Sequence, residues 1–447
     1  MERIIDEILS KLKIEIEGFV RGEKHSIDEA ERFFVDRIDE AVLSLLAGYY
    51  ESRDAELRAD KRRRKTAGLR IERIGDERHV LTKMGELTYR RTYYKKASGG
   101  YEYPIDEEAG VESYQRVSTG VGIALVENAT VMSYGKASEL VTGGQISRQS
   151  VLNKIRISYP EKTPVMKREV AVLHIDADED HVALQNGESV MVPLISGYEG
   201  IRKKGKRGEC VNVFHYSEFG RTPRENWEAF YDELDRRYDL YKTRIYLHGD
   251  GANWIQTGRD YLPNCTFVLD RYHVNSAMKQ AVAGFDGKRK KQYLKRLTEA
   301  EISGDRERYA RTVKSICLQG EERNAEAALY LLNNFDAIHV YHKDPEASNG
   351  GATEPHVSHV LSSRLSSRPM GWSRETLKHL VPILAEGAAC FTAPLEEEET
   401  PFKSEFKYNE RPKKKYIPNS LGMPDPDIAV FPRTRTGHRP YALRLLT

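Results

Sequence analysis

At 447 residues the chain is too long for one small core, so two or three domains are expected. It is 39% hydrophobic and 31% charged with a net charge of +2, and no apolar run approaches the roughly 20 residues of a membrane helix. Cys210, Cys265, Cys317 and Cys390 form no CxxC pair, which argues against a zinc ribbon or a disulfide framework.

The opening stretch MERIIDEILSKLKIEIEGF alternates charge with Ile and Leu, unlike a secretory signal, so a soluble, cytoplasmic, nucleoid-associated protein is expected. Residues 1–65 read as a helical region. Ile4, Ile5, Ile8, Leu9 and Leu12 fall on one face, as do Phe34, Ile38, Val42, Leu45 and Tyr49. Either face could pack at home or pair with another copy. Residues 66–110 read as a small β region with a hairpin around Gly85, whose exposed side is expected to carry Arg90, Arg91, Lys95 and Lys96 among Tyr89, Tyr93 and Tyr94. Residues 111–163 are helical. A helix ends near Gly143–Gly144 and Ser147 caps the next, RQSVLNKI, giving a helix-turn-helix with Arg148, Gln149 and Lys154 as reading side chains. Helix pairs of this kind also occur in proteins that never touch DNA.

From Pro164 the texture changes. VLHIDAD is strand-like, the acids Asp176, Asp178, Glu179 and Asp180 suggest a tight turn, and HVALQ reads as a second strand with ESVMVPLISGYEG as a third. A helix, RENWEAFYDELDRRYDLY, precedes the strand TRIYLHGD, and another helix opens at ANWIQTG. This order is that of the ribonuclease H-like fold, in which the first and fourth strands are neighbours, so Asp178 and Asp250 are expected to meet. An α/β class follows, with a catalytic domain over 164–274 and 341–390, an all-helical insertion over 275–340, and a basic tail over 391–447. From Pro401 onward the tail has ten Lys and Arg against four Asp and Glu. Further basic runs, DKRRRK ending at Lys65, RKKGKR at Arg202 to Arg207, KRKK at Lys288 to Lys291 and KKK at Lys413 to Lys415, suit a grip on a polyanion, although any one could be a solvated loop.

The stretch ASNGGATEPHVSHVLSSRLSSRPMGWS is rich in Gly, Ser, His and Arg, and a helix is expected to start near Thr353–Pro355. His356, His359, Arg364 and Arg368 follow Glu354 and are suited to holding phosphates. The alternative is that Arg364 and Arg368 pair with protein acids such as Glu396 to Glu399.

The stretches DADEDHVALQ, HGDGANWI and EPHVSHVLSSRLSSRPMGWS resemble those of the insertion-sequence transposases of the ISLre type, bacterial DDE enzymes distantly related to the Mutator-like group. The resemblance spans about Ile71 to Trp372. It implies a catalytic triad at Asp178, Asp250 and Glu354, with Asp176 as the alternative first ligand. It also implies that Cys265 and His273, in CTFVLDRYH, lie near the site. Pro355 departs from the small residue that usually follows the Glu. From 178 to 250 is 72 residues and from 250 to 354 is 104, so the fold needs the insertion.

Such acids suit two Mg²⁺ ions, with Mn²⁺ able to substitute, which neutralise charge on the attacking and leaving oxygens of a phosphodiester. Glu179 and Asp180 are expected in the solvated turn. The expected function is a DNA transposase that binds terminal inverted repeats, cuts the element ends and transfers the 3′-OH to target DNA. Its partner is double-stranded DNA, on which it works as a homodimer or higher oligomer, with no membrane. The alternatives are a metal-dependent nuclease of the same fold, or a DNA-binding regulator with a degenerate site.

Overall fold

A computed structural model describes residues 2–391 apart from 23, 206, 348 and 349. The chain divides into two compact units, at 157/158. The basic tail, Glu396 to Glu399 and Lys413 to Lys415 lie outside the described residues.

The first unit opens with α1 (Glu2–Val20) and the long α2 (Ile27–Ala59), followed by α3 (Lys61–Thr66). Ser26 starts α2 through a reciprocal capping box with Glu29, which satisfies donors at the helix start. Next come β1 (Leu69–Thr82) and β2 (Gly85–Lys96), paired antiparallel with Thr82 opposite Gly85, and the short edge strand β3 (Tyr101–Glu102). The hairpin thus turns where the sequence indicated.

The buried faces differ from expectation. Helix α2 meets the sheet through Leu43, Leu46, Ala47 and Tyr50, which pack on Leu87, Tyr89 and Ile105. Ile38 and Tyr49 stay exposed, as do Ile5 and Leu9 of α1. Tyr89, Arg91 and Tyr94 are buried rather than displayed, because Asp106 in α4 (Pro104–Glu108) ion-pairs with Arg91 and accepts from the Tyr89 hydroxyl at 2.9 Å. Arg90 and Lys95 are exposed, while Lys96 pairs with Glu102.

The unit closes with α5 (Thr119–Val131), α6 (Tyr134–Thr142) and α7 (Arg148–Arg156). Gly143 ends α6 in the left-handed region and the Ser147 hydroxyl accepts from the Ser150 N–H at the start of α7. The sequence placed both ends of this turn correctly.

In the second unit, β4 (Tyr159–Pro160) and β5 (Arg168–Glu169) precede a long β6 (Val172–Ala183). Then follow β7 (Ser189–Tyr198), the hairpin β8 (Ile201–Lys204) and β9 (Arg207–Cys210), β10 (Phe214–Tyr216) and α8 (Pro223–Arg237). The chain continues through β11 (Tyr238–Asp239), β12 (Arg244–Gly249), α9 (Asn253–Thr257) and β13 (Cys265–Leu269). The main sheet has the order β10-β7-β6-β12-β13, with β7 antiparallel to both neighbours and β6, β12 and β13 mutually parallel. Numbered along the chain, its strands run third, second, first, fourth, fifth, and the fold is mixed α/β.

One strand assignment is corrected. DADEDHVA does not turn at its acids: β6 runs straight through them to Ala183, and the reversal falls at Gln185–Glu188, around Asn186 and Gly187. Gly187 takes φ +83°, which glycine adopts without strain.

Five helices follow β13: α10 (Arg271–Ala281), α11 (Gly287–Ser303), α12 (Arg306–Gln319), α13 (Glu322–Asn333) and α14 (Phe335–Lys343). They share one apolar core with the sheet, in which Ile175, Leu247 and Trp227 join Leu297, Val313 and Leu331. The chain then returns to the sheet as α15 (Thr353–Val357), a π-helical turn (Ser358–Ser362), α16 (Ser363–Leu365), α17 (Arg374–Glu386) and β14 (Ala389–Cys390), which pairs with β4.

Candidate functional site at the carboxyl edge of the sheet

Strand β6 alternates its side chains between two faces. Leu173, Ile175 and Ala177 enter the apolar core, whereas His174, Asp176, Asp178 and Asp180 share the other face. His248 of β12 pairs with Asp176, so two residues further along each strand stand Asp178 and Asp250. Burial and the charges of Glu179 and Asp250 push the Asp178 carboxyl up to about 7. The Asp178 Oδ1 accepts from the Glu179 N–H at 2.9 Å, and Asp250 Oδ1 accepts from the Ala252 N–H at 2.8 Å. The Tyr330 hydroxyl donates to the Asp250 carbonyl at 2.5 Å, tying the insertion to this edge.

A third aspartate, unanticipated from sequence, ends the next strand. Asp270 caps α10 and accepts from the Thr353 hydroxyl at 2.8 Å. Its signal was available: it terminates CTFVL as Asp250 terminates RIYLHG. Burial opposes its ionisation, but hydrogen bonding to His273 and Thr353 holds its carboxyl below the ordinary carboxylate range. His273 lies 3.7 Å from Asp270 and feels Asp250 and Asp178 as well; with Asp270 as the main cause, its imidazole is held above its usual range. His273 is therefore at the site as expected. Cys265 is not: it pairs with Ile245 at the opposite end of β13.

Asp176 occupies different surroundings. Its carboxylate accepts from the Tyr198 hydroxyl at 3.0 Å and the Ala352 N–H at 2.9 Å, and His356 Nδ1 lies 3.2 Å away. The other His356 nitrogen faces Cys210 Sγ at 3.6 Å. Beside them His174 and His248 stack at 3.1 Å between ring nitrogens, and burial depresses both, His174 to about 3. A Cβ on Gly350 would come within 2.3 Å of His174 and 2.5 Å of His248, so only glycine lets the approach to α15 lie on these rings. Asp176 thereby docks the start of α15 onto the sheet.

Glu354 follows Thr353 at that docked start and is exposed. Among the described residues no group of three or more His, Cys, Asp or Glu is close enough to hold a metal ion. The structure thus brings Asp178 to Asp250 and places the helix bearing Glu354 on the same sheet edge, without closing the three carboxylates on one point.

The remaining expected contacts divide. Arg368 and His359 are exposed, and so are Arg148 and Gln149 on the first turn of α7. Lys154 is half-buried, which lowers its ammonium. Arg364 is buried, its guanidinium 4.6 Å from the Trp372 ring, and His356 is turned to Asp176; these two side chains serve the interior. Glu179 and Asp180 are not in a solvated turn: Glu179 accepts from Trp254 Nε1 at 2.7 Å and Asp180 from the Ser366 hydroxyl at 2.9 Å.

Fold and site define a mixed α/β protein in which Asp250 and Asp270, just past the ends of two parallel strands, gather near Asp178 of the third, β6. Residues 21–392 match the uncharacterised protein family UPF0236, and the chain belongs to that family. It is 34% identical over 380 residues to a UPF0236 protein of Caldanaerobacter subterraneus subsp. tengcongensis whose name joins four loci, covering 83% of this chain and 79% of the relative. A second protein of that organism, whose name joins eleven loci, is 37% identical over 339 residues, 74% of this chain and 72% of the relative. The UPF0236 protein in the vanSb 3′ region of Streptococcus gallolyticus is 26% identical over 392 residues, covering 83% and 84%. Among the described residues no helix is long and apolar enough to cross a membrane.

Proposed function

We propose that the protein is a DDE-type DNA transposase with a ribonuclease H-like catalytic domain. The observation that carries this reading is the meeting of Asp178, within β6, and Asp250, just past the end of the adjacent parallel β12, in a sheet whose strand order and antiparallel second strand are those expected of that fold. A helix bearing Glu354 returns to this edge after a helical insertion, as a DDE enzyme requires. The eleven loci joined in one relative's name fit a gene carried in many copies, as mobile elements are.

The donor chemistry suits divalent magnesium or manganese. Asp178 and Asp250 are hard oxygen donors whose mutual repulsion a cation would relieve, and burial together with the neighbouring Glu179 and Asp250 charges raises the Asp178 carboxyl. Asp178, Asp250 and Glu354 would hold the ions. When bound, these would supply charge neutralisation on the attacking and leaving oxygens. The chain's own part is positional. Asp176, Tyr198 and Thr353 fix the start of α15, and Tyr330 fixes the backbone of Asp250. Exposed Arg368 and His359 would hold phosphates along the substrate, while Arg148 and Gln149 on α7 would read the terminal inverted repeats. A dimer or higher oligomer would bring two element ends together.

The test is cleavage of duplex DNA carrying the ends that flank the gene. Asp250→Asn is expected to lose strand cleavage and strand transfer while still binding the ends. Wild-type cleavage by this variant would exclude the assignment. Cleavage without joining, by the unmodified protein, would instead favour a nuclease.

A further inference from the structure

Across the sheet from the carboxylates lies a pocket of about 260 Å³, lined in part by Met191, Pro193, Phe219 and Trp254, with Arg221 and Arg374 also in its wall. Its place follows from the register: Pro193 and Met191 of β7 stand opposite Glu179 and His181 of β6. Trp254 connects pocket and site, since its indole donates to Glu179, the residue after Asp178.

The lining is unusual for a surface. Met191 is 41% exposed, and Phe219, half-buried, lines the same pocket. Flat aromatic and thioether surface with flanking guanidinium groups matches a planar heteroaromatic ring carried between phosphates. The volume lies below that of pockets for drug-sized ligands, which suits a single base. Arg374 is in a solvent-exposed ion pair with Glu188 at 3.2 Å, and Arg221 pairs with the partly buried Glu218 at 2.5 Å. An exposed pair such as Arg374–Glu188 contributes little to stability.

We propose that this pocket takes one unpaired nucleobase of the DNA strand beside the cleavage point, stacked against Phe219 and Met191, with Arg221 and Arg374 on the adjoining phosphates. The inference rests on the DNA reading above. Removing a base from its stack is least costly where the duplex is already open, so the pocket would favour frayed or overhanging ends.

The test uses the full chain and two labelled duplexes with a 3′ overhang, identical except that one carries adenine and the other an abasic residue at the unpaired position. Fluorescence anisotropy at fixed salt should give roughly tenfold tighter binding to the base-bearing probe. Met191→Ala and Phe219→Ala should each bring that ratio close to one while leaving the salt dependence of binding unchanged. Equal affinity of the unmodified protein for both probes would overturn the pocket proposal and leave the DNA reading standing. Failure to bind either probe would overturn both.

Discussion

Asp176 and Asp178 sit two residues apart on the same face of one strand, yet their surroundings are opposite in kind. Asp176 is enclosed: a tyrosine hydroxyl and a backbone amide donate to its oxygens, and the His356 imidazole lies 3.2 Å away. Asp178 faces other acids and accepts from one backbone donor, the Glu179 N–H, and its carboxyl is raised. A buried carboxylate held by several donors acts as a strut, and one facing like charge is a candidate functional group.

The largest expected effect separates the two. Asp178→Ala should lower DNA cleavage by more than about 10²-fold, as when a group stabilising transition-state charge is removed. Asp176→Ala should keep measurable cleavage per folded molecule but lower the melting temperature. The reverse pattern in a single-turnover assay would move the site to Asp176. Gly350→Ala attacks the strut from its other side. Its methyl would collide with His174 and His248, destabilising the unit by about 1–3 kcal/mol in thermal melts.

Asp178 also gives a pH signature. Its folded carboxyl is raised, so its contribution to stability is full below the ordinary carboxylate range and is lost as pH rises through about 7. With divalent ions chelated, Asp178→Asn should therefore melt higher than the parent at pH 8, by roughly 1–2 kcal/mol, and converge with it near pH 4. A lower melting point for the variant at pH 8 would contradict the crowding of acids. The smallest effect concerns Arg368. Its replacement by Ala should reduce the slope of log affinity against log salt by roughly one, without changing stability.

Much of this was legible in the sequence. Turn chemistry located the α6–α7 junction from Gly143 and Ser147, the hairpin at Gly85 and the helix start at Thr353. The run DADED misled because a cluster of acids reads as solvent, whereas a strand sends alternate members to opposite faces, Glu179 to Trp254 and Asp180 to Ser366. Arg91 and Arg364 misled for a related reason. Local periodicity cannot foresee that Asp106 or the Trp372 ring will arrive from later in the chain to accept a guanidinium inside. Asp270 was overlooked although it ends its strand as Asp250 does.

The helical excursion between β13 and α15 has a consequence for the order of assembly. Since 104 residues separate Asp250 from Glu354, closing that loop carries an entropic cost that contacts within α10 to α14 must first offset. During synthesis, both aspartates leave the ribosome well before the helix that bears Glu354. A nascent chain would therefore hold Asp178 and Asp250 together without Glu354 until most of its length had been made, so anything that needs all three acids would arrive late in the birth of each molecule.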